Sequence, residues 1–176
     1  MKKVILTTVF LFTSMVIFAQ SAQKDDKIIE DSKEAKAEFL EDDLDMQELF
    51  SSSHAYIILP NVGKGGLGIG GASGNGIAYE YGEMIGFARM TQLTIGFQAG
   101  GQVYSEVVFF EDKKAFDRFR ENKIEMSAQV SAVAAASGAS LNAKYVDGVA
   151  VFTRTKGGLR YEAYVGGQQF KFRSND

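Results

Sequence analysis

The sequence predicts a mainly β (α+β) fold: an antiparallel β-barrel or sandwich of about seven to eight strands, with a packed N-terminal amphipathic helix and one short helix. Three observations carry this. An acidic stretch without Gly or Pro, residues 24–50, has helical periodicity. From Ala55 onward the apolar period drops to two, the period of a strand. Thirteen of the 19 glycines fall within residues 63–101, between short apolar runs, in a chain with a single proline.

The helix comes first. Ile28, Ala35, Phe39, Met46 and Phe50, supported by Ile29, Leu40, Leu44 and Leu49, form one stripe. Asp25 or Asp26 is placed to cap its start, and Ser51-Ser52-Ser53 to end it. Residues 24–50 carry a net charge of −7, whereas residues 51–176 carry +2. A face this acidic suits packing on the following domain better than contact with an anionic membrane, because membrane-surface helices carry Lys and Arg on their polar face.

The strands follow. Ala55–Leu59 reads as a buried strand stopped by Pro60, and Ser73-Gly74-Asn75-Gly76 as a type I′ hairpin turn. Ile77–Tyr81, the alternating Leu93–Ala99 and Val103–Glu111 give further strands. Asp112–Glu121 is a short helix with Asp112 as N-cap and Phe116 and Phe119 facing the core. Ile124 to Ala136 alternates over seven even positions as a long strand. Gly148–Thr155, a Lys156-Gly157-Gly158 turn and Leu159–Val165 form a last hairpin, before a closing strand with Phe170 and Phe172 on one face.

The first nineteen residues read as a secretory signal peptide. Lys2 and Lys3 precede an uncharged apolar run from Val4 to Phe18, with cleavage expected after Ala19. The domains expected are therefore 1–19 signal peptide, 20–53 acidic helical segment and 54–176 β domain. The product is an exported protein, periplasmic or at the cell surface.

Catalytic signatures fail on physical grounds. The absence of Cys excludes disulfides, thiol nucleophiles and zinc-thiolate sites, and a single His excludes any site needing two imidazoles. Gly66-Leu67-Gly68-Ile69-Gly70-Gly71 spells G-x-G-x-x-G, but a strand rather than a helix N-terminus follows it, so it marks closely approaching strands. Ser52 and Ser53 beside His54 form a helix-exit cluster, since neighbouring strand residues point to opposite faces. The acids from Glu41 to Asp45 lack the Gly of a calcium loop, and Glu80 and Glu83 flank a turn at the surface. Lys113, Lys114, Arg118, Arg120 and Lys123 make the densest basic cluster, interleaved with Glu111, Asp112, Asp117 and Glu121. No enzyme, cofactor, metal or nucleic-acid partner is expected.

The ordered series AYIILPNVGKGG (55–66), GLGIGGASGNG (66–76), LTIGFQAGGQ (93–102), VVFFEDKKAFDRF (107–119), SAQVSAVAAASGA (127–139) and GVAVFTRTKGGL (148–159) resembles the SYLF domain over residues 54 to 172. The resemblance implies a non-enzymatic phospholipid-binding protein, with phosphoinositides as the ligands of its eukaryotic members. Those members also bind actin filaments and carry SH3 or FYVE modules. An exported bacterial protein meets neither actin nor, ordinarily, phosphoinositides, so an anionic phospholipid or membrane surface is the partner expected here. Lys64 falls at the family's basic position before the glycine run, and with Arg89, Lys113, Lys114 and Arg118 it makes the candidate headgroup set. The alternative is an envelope structural or protein-interaction module without lipid specificity, and a third reading is a small outer-membrane barrel.

Overall fold

A computed structural model of the chain describes residues 23–41, 45–121, 125–126, 145–155, 158–161 and 168–175. The expected signal peptide, most of the 124–136 strand and residues 162–165 lie outside them.

The acidic segment is helical over 23–41 (α1) and over Asp45–Ser52 (α2). The helix already runs at Gln23, so Asp25 and Asp26 lie inside it rather than at its cap. The stripe read from the sequence faces the sheet: Ala35, Phe39, Met46 and Leu49 are buried. They pack on Tyr56, Ile58, Val107, Phe109, Ala150 and Phe152. Burying Phe39, Met46 and Leu49 contributes about 1.5–3 kcal/mol each. Lys36 adds a polar tie, donating to the Tyr56 hydroxyl at 2.8 Å with its ammonium 4.8 Å from the centres of the Phe50 and Tyr56 rings.

Six strands form one antiparallel sheet among the described residues: β1 (Ala55–Glu80), β2 (Glu83–Phe110), β3 (Glu125–Met126), β4 (Val149–Thr155), β5 (Gly158–Tyr161) and β6 (Gln168–Ser174). The expectation of seven or eight strands is corrected. The first four predicted segments fuse into the two long strands β1 and β2, paired from Ala55↔Phe110 to Glu80↔Glu83. A ladder needs only backbone groups, so glycines do not interrupt it. Nor does Pro60 end a strand; it lies at a register shift between Leu59 and Val62, where a proline is tolerated. The hairpin turn is Tyr81-Gly82, with φ of 51° and 83°, and Ser73–Gly76 lies within β1. Two positive φ values are what a type I′ turn requires.

β2 is the central strand. One edge pairs with β1, while the other pairs with β6 along Gly86–Gln92 and with β4 along Ser105–Phe110. The predicted last hairpin is present as β4–β5. The closing strand, however, adds to β2 rather than to the hairpin.

The long hairpin is coiled. A straight strand of 26 residues spans roughly 85 Å at ~3.3 Å per residue. Here the Tyr81 amide, one residue past the end of β1, donates to the His54 carbonyl just before its start, at 3.1 Å. Gly74 and Gly76 permit this fold-back: a Cβ on Gly76 would meet the Ile58 carbonyl oxygen at 2.0 Å. The inner face holds one core, with Ile57, Leu59, Val62, Met90, Val108, Phe110 and Phe170, and α3 (Lys113–Arg120) closes it with Phe116 and Phe119. The Asp112 carboxylate caps α3 by accepting from the Ala115 amide at 2.8 Å, as the sequence predicts. Among the described residues the ladder's order, β3-β6-β2-β4-β5 with β1 on β2, has open ends, so the expected barrel is not closed there. No helix among the described residues is long and apolar enough to cross a membrane.

Candidate anion-binding cleft

The outer face of the sheet carries two consecutive cross-strand rows near the start of α1. Asn75, Arg89 and Lys171 stand opposite one another on β1, β2 and β6; two residues along, so do Ile77, Phe87 and Arg173. Period-two alternation explains the arrangement, since the intervening Ala88 and Met90 turn inward into the core. The first turns of α1 bring Lys24, Asp25 and Ile28 against these rows. They enclose a cleft of about 380 Å³, within the ~300–1,000 Å³ typical of small-ligand sites.

Four cations line it with one carboxylate. Arg173 donates to Asp25 at 2.9 Å and stacks its guanidinium 4.3 Å over the Phe87 ring. Lys24, Arg89 and Lys171 have no acidic partner among the described residues. Arg89 and Lys171 are directly opposed, and like charges so placed on neighbouring strands repel. An anion bridging them converts that repulsion into two charge-assisted hydrogen bonds. Phe87 and Ile28 supply apolar surface beside the charge.

Of the predicted headgroup residues, the structure places Arg89 in this cleft and the other four elsewhere. Lys64 is half-buried on β1, opposite Gln102. Lys113 is held by Asp117 at 2.6 Å on the surface of α3, where Lys114 is exposed. Arg118 donates to the Asp147 carbonyl. Lys24, Lys171 and Arg173 complete the cleft, and the sequence alone does not single them out. The K-F-R alternation of 171–173 shows the two cations opposite Phe172, but only strand register sets them beside Arg89.

The remaining polar clusters have structural partners. His54 pairs with Glu80 at 3.1 Å beside the hairpin turn, and the Ser53 hydroxyl donates to the Leu49 carbonyl. No group of three or more His, Asp or Glu side chains placed to hold a metal occurs among the described residues. Beneath α1 and α2, burial pushes the Tyr56 phenol up and the Lys36 ammonium down. Burial, and then the charge of Tyr56, pushes Tyr79 up to about 12.

Comparison with known proteins places these elements. Residues 91–175, which include most of β2, α3 and β4 to β6, match the model of the Ysc84 (SYLF) family, described as Las17-binding protein actin regulator. The match covers just under half of the chain. A stretch of 71 residues is 37% identical to Beta cell expansion factor A of Aeromonas veronii, a SYLF-domain protein. The match spans 40% of this chain and 27% of that protein. The Ysc84 region thus contains Lys171 and Arg173, whereas Lys24 and Arg89 precede it.

Proposed function

We propose that this chain is a non-enzymatic phospholipid-binding protein of the bacterial periplasm or cell surface, with the phosphate of an anionic headgroup held between Arg89 and Lys171. The observation that supports it is the opposed Arg89–Lys171 pair, without an acidic partner among the described residues, in a cleft with apolar walls. The match of residues 91–175 to the family model supports the same reading. Binding of this kind is electrostatic and weakens as salt shortens the Debye length from ~10 Å at 0.1 M to ~3 Å at 1 M. Flotation with anionic and zwitterionic vesicles at two salt concentrations tests it. Selective, salt-sensitive uptake is expected, with a clear loss in Arg89→Gln and Lys171→Gln. Equal recovery with anionic vesicles, zwitterionic vesicles and no lipid overturns the reading.

A second reading, an envelope structural or protein-interaction module, draws on Tyr81, Leu93 and Val103, which are 75%, 68% and 67% exposed. Crosslinking in intact envelopes tests it, and recovery of monomer alone counts against it.

A further inference from the structure

The two ends of α1 are held very differently. No residue from 23 to 31 is buried, whereas Ser32, Ala35 and Phe39 are buried on the sheet and α2 adds Met46 and Leu49. The first turns are tied to the sheet by two exposed polar contacts: Asp25 with Arg173 at 2.9 Å, and Asp31 accepting from the Asn61 amide at 3.1 Å. Lys24, Asp25 and Ile28 are also the residues through which α1 closes the cleft.

Resting on the lipid-binding reading, we infer that residues 23–31 are an autoinhibitory lid in which the Asp25 carboxylate stands in for the ligand's anion at Arg173. Lipid phosphate that takes Arg173 competes with Asp25 and releases the lid, while Ala35 and Phe39 keep the rest of α1 attached. Electrostatics favour the same exchange. With the lid down, the exposed Asp26 and Glu30 of the same segment add negative charge that repels an anionic surface; lifting it carries them away. The lid also sets ligand selection, since only an anion able to outcompete a tethered carboxylate gains access to all four cations.

The test uses the chain with residues 23–176 intact and two variants of equal charge. Asp25→Asn removes the internal anion; Asp26→Asn changes the same charge on a neighbouring residue that does not contact Arg173. An exposed ion pair shifts an equilibrium roughly two- to fivefold. Asp25→Asn is therefore expected to bind phosphatidylglycerol vesicles that much more tightly than the parent, and Asp26→Asn, which relieves repulsion without freeing Arg173, to gain clearly less. Hydrogen exchange at residues 26–31 is expected to quicken in Asp25→Asn, and in the parent when vesicles are added, while residues 35–39 stay protected. Equal affinities of the two variants, with binding retained, overturn the lid and leave lipid binding standing. Release of the lid by inorganic phosphate at matched ionic strength as readily as by vesicles overturns the assignment of a lipid phosphate. Absence of vesicle binding in all three proteins removes the lipid reading and the lid with it.

Discussion

Three glycine-to-alanine substitutions in β1 grade the cost of the fold-back. At Gly76 the new Cβ sits 2.0 Å from the Ile58 carbonyl oxygen and 2.9 Å from the Leu59 Cα. Both neighbours are backbone, so ordinary contact requires the two halves of β1 to part by about 1.4 Å. Over-packing of this kind costs about 1–3 kcal/mol where side chains can adjust, and here they cannot, which sets the expectation at about 3 kcal/mol or more. At Gly74 the closest atom is a Val62 methyl at 2.8 Å, with the Asn61 carbonyl at 3.2 Å, and about 1–2 kcal/mol is expected. At Gly63 nothing lies within 4 Å. Alanine there is expected to gain about 0.4–1 kcal/mol by restricting the unfolded chain. Urea unfolding followed by circular dichroism reads the series, and melting offers a second measure at about 2–4 °C per kcal/mol for a chain of this size. If Gly76→Ala proves as stable as Gly63→Ala, the two halves of β1 do not lie in contact and the coiled hairpin is wrong.

Three further outcomes are expected. Asp112→Ala removes the cap of α3 and lowers stability by about 0.5–2 kcal/mol in the same urea assay. Phe39→Ala, at a site of 0% exposure, costs about 3–5 kcal/mol, and proteolysis is expected to show α1 released before the sheet unfolds. Tyr79 holds its proton up to about 12 in the folded chain, against about 10 in the unfolded one, so its contribution is intact below pH ~10 and is lost as pH rises between the two. Lys36, pushed down by burial, acts in the opposite sense, and stability gains from it as pH rises towards 10.5. Urea midpoints measured between pH ~9 and ~12 are expected to fall less steeply in Tyr79→Phe than in the parent.

The sequence showed those features whose cause is local. Phe116, Phe119 and the Asp112 cap lie within two helical turns of each other, and the Ala35–Phe39 stripe is a matter of 3.6-residue spacing alone. Where strands bend and end was hidden, because Gly74 and Gly76 satisfy both a hairpin turn and a close approach of distant backbone. Only contact with Ile58 and Val62 distinguishes the two. The true turn uses a tyrosine at positive φ, a choice composition does not suggest. Arg89 was visible as a charge, yet the cleft needs Asn75, Lys171 and Lys24 from three other elements. Of the clustered cations of α3, by contrast, Lys113 is held by Asp117 and Arg118 by the Asp147 carbonyl, so charge density along the chain does not point to the cleft.

The nested register of β1 and β2 has a kinetic consequence. Every pair from Glu80↔Glu83 outward encloses the last, so the ribbon can zip from the Tyr81-Gly82 tip, each step closing a loop scarcely longer than the one before. A hairpin tip forms in about 1–10 μs, whereas sheets dominated by distant pairings need milliseconds to seconds. The slow step is then the coiling rather than the zipping: Gly76 meets Ile58, and His54 meets Tyr81, only after both halves of the ribbon exist. Until that moment the ribbon exposes one face that will become the inner core and another awaiting Phe39. The interval before coiling is when a second chain competes best for those surfaces, and a helix synthesised ahead of the sheet is already present to cover one of them.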